Sequence, residues 1–479
     1  MDGENRDLLI HPQGEGHQAT LASTLEDALR AAGDDSLGQV RMETPGGTVF
    51  VEWDPHAPLT PIGQLVFFVQ FLDLCGHFER LCQTCPVRLT SSNAPDTRDV
   101  LGTFLMGILC GQHRYAHLSA LRFDPINPGL LSHHRDENRR TFRRGDGAWR
   151  LHQWRGSGGH HSYFIGTLRV CLDVEVESGD RCAAKHAHAG LWKIIDELPP
   201  ERRPALVRGD LAFGEEKLMS QCEERGQKYL FKLRQSPKVK MLIKQVERSG
   251  KWEDAGQGFE GIESSLRLVA WSRERRVIIL RRPVKKKQPT SDLPLLENSG
   301  ISVEKAPTHE FMVLITNEAL PILGVAQLYR DRADVENCFD ELKNQWGWGG
   351  FTTKDQARSQ TMARLVALVY NWWSLFVGLI DPSKHAEAIT SRPQLLHGVA
   401  RKTQSGRQTT LSITSPHNRA AHTQERQTWV GRFLSALKTV AEQLSRFDIW
   451  RIILSCVFVR FLRGRIIGCP SSDASLVPI

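Results

Sequence analysis

The run LVALVYNWWSLFVGLI, residues 365–380, constrains the fold of this chain more than any other stretch. It is 16 residues long, and only Asn371 and Ser374 break its apolar character. That length falls short of the ~20 residues that a bilayer span needs, so the run reads as a helix buried between layers of a soluble domain. Such a helix needs a real core around it, and 479 residues suffice for two or more domains of that kind.

The rest of the chain is organised in blocks. Residues 1–50 are polar and rich in glycine, and read as loosely attached. Apolar residues then recur at helical spacing in IGQLVFFVQFLDLCGHFERL and VLGTFLMGILCGQHRYAHLSAL, which predicts a compact helical domain over 51–125. Residues 126–160 are rich in Arg and His and nearly free of aliphatic side chains, so they bury too little apolar surface to form a core strand. In 161–225, YFIGTLRVCLDVEVESGD alternates like strands with a turn at Ser178-Gly179-Asp180. GLWKIIDELPPE then reads as a helix stopped by Pro199-Pro200, and PALVRGDLAFG as a short buried strand that runs out at Gly209-Asp210. Residues 226–317 are mostly strand-like (YLFKLR, SSLRLVAW, RRVIILRR, HEFMVLIT), with the Lys/Pro-rich loop RRPVKKKQPTSD among them. A charged helix and the apolar helix fill 318–385, and 386–479 reads as a basic helical tail. Strands followed by helices, with a β-rich block between, predict an α/β or α+β architecture.

Charge narrows the partner. The chain carries a net charge of +8, and from Ala386 to Ile479 there are 13 Lys and Arg against 5 Asp and Glu, which is the whole surplus. A basic region on an otherwise balanced chain points to a polyanion, nucleic acid first, although a tail kept soluble by its charge has the same composition. The ten cysteines are scattered singly apart from Cys82 and Cys85. A lone CxxC beside Pro86 and apolar neighbours fits core cysteine better than a metal site. The start MDGENRDLL has neither a basic nor an apolar leader character, which places the chain in a reducing cytoplasm.

The stretch LYRDRADVENCFDELKNQWGWGG, residues 328–350, carries the chemistry. On a helix advancing ~100° per residue, Arg332 falls near −60°, Glu336 near −20° and Lys343 near −40° from Tyr329, a stripe ~21 Å long. Leu328, Val335, Cys338, Phe339 and Leu342 form the adjoining apolar stripe, so the polar one lies where a cleft would open. The plain alternative is a half-exposed helix with an Arg332–Glu336 pair, contributing a few tenths of a kcal/mol. Asp340, one turn after Glu336, weighs against it, because like charges at that spacing repel unless a cation lies between them. A tyrosine and two cations flanking an acid suit a metal-and-phosphate site.

Tyr-x2-Arg-x3-Glu-x6-Lys is also a family motif, and with LVRGDLAFG, DELKNQWGWGGFTTKD and ITSRPQLLHGVARKTQSGRQTTL it makes the chain resemble a bacterial insertion-sequence DDE transposase of the Tyr-Arg-Glu-Lys subgroup. The resemblance covers roughly 51–122 and 161–465, and it implies an RNase H-like core with a β-rich insertion, a helical N-terminal domain and a helical C-terminal tail. It implies catalytic and metal-binding roles for Asp210 and Glu336, two Mg²⁺ (or Mn²⁺) ions, and phosphate contacts by Tyr329, Arg332 and Lys343. Asp210 read alone could also cap a helix, but the strand before it and the family motif favour the catalytic role. Trp346 and Trp348 could stack on an unpaired base, or cap the helix and pack against Phe351. The implied partners are the element's terminal repeats and target DNA, held by a homodimer at the nucleoid, with no membrane.

The chain departs from the family at one place. The first aspartate belongs on the opening strand of the core, yet that place is the Arg/His-rich segment His133–Arg155. Asp136 and Asp146 lack apolar neighbours, and Asp173 sits on the next strand, where the family uses no ligand. Two readings follow: a transposase that cuts and rejoins DNA, and a remnant that binds element ends without cutting.

Overall fold

The computed structural model describes residues 40–45, 47–51, 57–86, 95–124, 126–127, 158–178, 183–284, 309–351, 355–414, 417–440, 444–463 and 465–467. Asp136, Asp146, most of the Arg/His-rich segment and most of the Lys/Pro-rich loop lie outside the described residues. The chain forms two units, Met1–Pro58 and Leu59–Ile479. In the first, where the sequence suggested only a polar segment, β1 (Val40–Thr44) and β2 (Gly47–Val51) make an antiparallel hairpin in register from Val40↔Val51 to Thr44↔Gly47.

The second unit begins with β3 (Leu59–Thr60) and the expected helices: α1 (Leu65–Cys75), α2 (His77–Thr84), α3 (Thr97–Leu109) and a 3₁₀ helix at Tyr115–Phe123. Asp96 starts α3 by accepting from the Arg98 amide, and Gly76, at φ 64°, joins α1 to α2. β4 (Gly158–Ile165) and β5 (Val170–Ser178) pair antiparallel. The strand alternation was legible, and the chain reverses between the strands at Gly166–Arg169; Ser178 ends β5, and Gly179 and Asp180 of the expected turn lie outside the described residues. Gly166-Thr167-Leu168-Arg169 lacks the Asn-Gly or Asp-Gly signal of a tight hairpin, and Arg169 takes up a left-handed φ of 53°.

After α4 (Ala183–Glu197) come β6 (Leu206–Gly209), α5 (Glu216–Glu224), β7 (Lys228–Lys232), α6 (Pro237–Ser249), β8 (Glu253–Gly256), β9 (Phe259–Leu266), β10 (Arg275–Pro283) and β11 (His309–Thr316). They build one sheet in the order β6-β7-β11-β10-β9-β8, with β6 and β7 parallel and the other pairs antiparallel. The β-rich block is therefore hydrogen-bonded through β7 into the strand that leads to Asp210. It also contains α6, whose Val239, Leu242, Ile243 and Val246 recur at helical spacing. One face of this sheet packs on α4, α5 and α6, the other on the next helix, α7 (Ile322–Arg330).

α8 (Ala333–Asn344) precedes α9 (Gln356–Ile380), which contains the apolar run. Among the described residues α9 is the one helix long and apolar enough to cross a membrane, but its apolar window is 72% buried inside the protein. Trp373 and Phe376 meet Phe68 of α1 edge-on at 5.4 Å, and α3 packs on the same core. The C-terminal region corrects the expectation of a helical tail. After α10 (Ala388–Leu395), the strands β12 (Val399–Ser405) and β13 (Gln408–Thr414) form a hairpin that joins β3. α11 (Ala420–Val440) and α12 (Arg446–Val457) then complete the core around α9. The hairpin's signals were its β-branched residues and Gly406, at φ 58° in the turn.

Candidate active site

Asp210 stands exposed at the C-terminal end of β6. Its carboxylate accepts from the Ala212 amide at 2.9 Å, and its carbonyl accepts from the Phe213 amide at 3.1 Å, so a tight turn presents it. Phe213 folds back over Gly209, where an added Cβ would lie 2.6 Å from the Phe213 Cβ. Arg208, two residues earlier, donates through Nη1 to the Leu328 carbonyl and ties β6 to α7. Burial pushes the Arg208 guanidinium below its ordinary pKa, with Asp331 and Asp334 working against that shift. This strap brings together segments more than a hundred residues apart in sequence.

Tyr329 is buried near the end of α7, and the Arg332 guanidinium lies 5.5 Å from its ring centre. Burial raises the phenol pKa; Arg332 opposes the shift, and the negative charges of Asp210 and Glu336 add to it. The phenol thus sits within the field of both candidate carboxylates. The structure interrupts the single helix that the sequence suggested: Asp331 and Arg332 separate α7 from α8, and the Arg332 amide bonds the Tyr329 carbonyl three residues back. Both residues keep right-handed helical dihedrals, so the polar stripe survives the break.

Glu336 is exposed and pairs with Arg332 Nη2. With its side chain 61% exposed, that pair contributes little stability and leaves the carboxylate open to other partners. Asp340 accepts from Asn344 Nδ2 at 2.7 Å, and Lys343 is exposed. Burial lowers the pKa of the His160 imidazole; the Trp348 backbone counteracts this, and His161 and Lys343 add to it.

Trp346 and Trp348 are core residues. Trp346 is fully buried, donates to Glu341 at 3.1 Å, and carries the Arg392 guanidinium 4.1 Å from its ring centre. Trp348 donates to the Ala363 carbonyl at 3.0 Å and packs against Phe339 and His160. Neither presents the exposed ring face that base stacking requires, so packing is the role their geometry displays. Asp173 is held by Arg364 through two bonds of 2.8 and 2.9 Å. Asp173 is thus occupied, and among the described residues no group of three or more His, Cys, Asp or Glu could hold a metal ion. Cys82 and Cys85 are free thiols packed against the core, and burial pushes the Cys82 thiol up to about 11.

Residues 147–372 match the family model described as the transposase DDE domain. The chain carries a transposase DDE domain. No curated protein matches it. The match takes in Asp173, Asp210, Tyr329, Arg332, Glu336 and Lys343, and begins one residue after Asp146.

Several residues that position this candidate site were not legible from spacing. Besides Arg208, Arg169 reaches Asp334 at 2.7 Å and holds the start of α8 to the β4–β5 turn. Glu341 is buried at the end of α8, bonded to Trp346 and the Ala388 amide. Gly347 explains the glycine between the tryptophans: it adopts φ 69°, and a Cβ there would lie 2.1 Å from His113 Nδ1. Gly347→Ala should therefore lower stability by about 1–3 kcal/mol, read as a lower urea midpoint with unchanged slope. An unchanged midpoint would show that the loop yields freely.

Proposed function

We propose that the chain is a DNA transposase of the Tyr-Arg-Glu-Lys subgroup that cleaves phosphodiesters at insertion-sequence ends and joins them to target DNA. The observation that carries this reading is that the Arg208–Leu328 bond ties the strand ending in Asp210 to the end of α7, where Tyr329 lies beside the Arg332–Glu336 pair. Strand β6 ending in an acid, backed by helices on both faces of its sheet, supports an RNase H-like core. Arg332 would grip a phosphate through two donors, exchanging its bond to Glu336 for the ligand, and Lys343 would add a point charge. The buried phenol of Tyr329 stays protonated at neutral pH and can donate to a phosphate oxygen. A homodimer would hold two DNA ends at the nucleoid, in the cytoplasm.

This chemistry ordinarily uses two Mg²⁺ or Mn²⁺ ions held by hard oxygen donors. The described residues do not complete that set: Asp210 and Glu336 supply two carboxylates, and Arg364 occupies Asp173. The same observation favours the second reading, a remnant that binds element ends without cutting.

The test is nicking of a duplex carrying the element's own end, with Mg²⁺ or Mn²⁺, comparing the natural protein with Glu336→Ala and Asp210→Asn. Nicking abolished by both substitutions establishes the enzyme. Salt-sensitive binding with no nicking by any of the three establishes the remnant.

A further inference from the structure

The basic surplus of the C-terminal region is not one surface. Arg392 is buried, Lys438 pairs with Asp73, Arg451 with Asp448, Arg426 bonds the Ile380 carbonyl and Arg460 the Ser383 carbonyl. Each of these cations already has a partner within the protein or is buried. The β12–β13 hairpin is different: it contains Arg401, Lys402 and Arg407 and no acidic residue, and none of the three has a side-chain partner among the described residues.

The hairpin adds little to the core. Ala400 is buried at its base, beside the short pairing with Leu59 and Thr60, and every residue from Thr403 to Thr410 is exposed. A two-stranded ribbon exposed on both faces is marginal in water, so its stability does not explain it. Its side chains are ordered by register. Arg401 faces Ser412, Thr403 faces Thr410 and Ser405 faces Gln408, and alternation puts all six on one face. Each of these side chains can hydrogen-bond, and Arg407 sits at the tip beside Gly406, around which there is open space.

We propose that this ribbon docks in the major groove of duplex DNA, its Thr403–Thr410 and Ser405–Gln408 rungs facing base edges and the long side chains of Arg401, Lys402 and Arg407 reaching the flanking phosphates. The dimensions agree: strands of seven residues span roughly 20 Å, and a groove ~12 Å wide and ~8.5 Å deep admits a two-stranded ribbon. The charge agrees too, with three free cations and no acid to repel the backbone. This proposal rests on DNA being the partner, as in the function proposed above, but adds a contact surface remote in sequence from Asp210 and Glu336.

The experiment measures binding of the full chain to a labelled mixed-sequence DNA duplex and to an RNA duplex of the same sequence, across a salt series. The natural protein is compared with Arg401→Ala/Lys402→Ala/Arg407→Ala. Loss of three phosphate contacts should reduce the slope of log affinity against log salt by about 2–3 and weaken DNA binding on the order of 100-fold near ~0.1 M salt. The RNA duplex should lose much less, because its major groove is too narrow to admit the ribbon. Unchanged affinity and slope in the variant would overturn the ribbon proposal and leave the DNA reading intact. Equal losses on RNA and DNA would also overturn it, leaving only a charged surface. No DNA binding by the natural protein would overturn both. Melting temperatures should agree between the two proteins; if the triple variant melts lower, Arg407→Ala alone should still reduce the slope by about 0.9.

Discussion

Glu341→Ala is expected to destabilise the protein by about 3–5 kcal/mol, far more than truncation of an exposed helix residue such as Asn337. Glu341 is only 2% exposed although it sits on a helix full of charges. Its Oε1 accepts from Trp346 Nε1 at 3.1 Å and from the Ala388 amide at 2.9 Å, and its Oε2 lies 2.9 Å from His385 Nε2. Truncation strands these groups in the interior and empties the volume beside Trp346. The damage should spread, because Arg392 stacks on that indole and donates to the Gln345 carbonyl at 2.7 Å and the Ile108 carbonyl at 3.1 Å. This network fixes the end of α8 to α10 and α3, and α8 carries Glu336 and Lys343. Glu341→Gln keeps the shape and one acceptor, so it should cost only about 1–2 kcal/mol. Urea unfolding of both variants decides the matter. An alanine variant as stable as the glutamine variant would mean that the buried bonds contribute nothing.

How much of this was legible in the sequence differs by residue, for physical reasons. Leu365–Ile380 was legible as a helix of the core from its apolar side chains, which face every direction. The length argument fails: the helix runs from Gln356 to Ile380, long enough for a bilayer, and it is burial inside the protein that supports the core reading. Arg332, Glu336 and Asp210 were visible through the motif and a strand ending in an acid. The break at Asp331–Arg332 was not, since both residues keep helical dihedrals and only the hydrogen-bond register changes. Glu341 was invisible because a glutamate on a charged helix is nearly always solvated, and only the fold brings Trp346 and the Ala388 amide to it. The tryptophans had two possible roles until burial separated them. Sequence order hides pairing: the parallel register of β6 with β7 joins strands 22 residues apart, as in Leu206↔Lys228, and so bonds the β-rich block to the strand before Asp210. The β12–β13 ribbon was not legible because polar and basic residues interrupt its β-branched alternation.

Arg275→Leu should be the second severe substitution, and its pH dependence identifies the cause. Arg275 has a side chain 3% exposed, and it bonds Glu216 of α5 through Nη1 and Glu223 at 2.6 Å through Nε. Tyr229 and Arg273 complete the cluster around Glu223, and Ser272 donates twice to Glu216. The cluster clamps α5, the helix that follows the Asp210 turn, onto β10. Removing the guanidinium leaves two carboxylates without their central cation, an expected loss of about 3–5 kcal/mol at neutral pH. Burial alone would raise the Glu216 carboxyl, but hydrogen bonds from Arg275 and Ser272 outweigh it and lower the pKa from 4.5 to about 2. The Glu223 carboxyl is lowered in the same way, against its burial, by Arg275 and Tyr229. A carboxyl depressed in the folded state stabilises it fully above its unfolded value. That contribution is lost as pH falls from 4.5 toward about 2. For Glu216 the loss is about 3 kcal/mol, at 1.36 kcal/mol per unit. In the leucine variant the dependence should flatten, because the carboxyls lose the cation that most strongly favours their ionised form and keep only Ser272, Tyr229 and Arg273. Stability measured by urea at pH 7, 4.5 and 3 tests this: a variant that loses as much stability in acid as the natural protein would remove Arg275 as the source of the depressed pKa values.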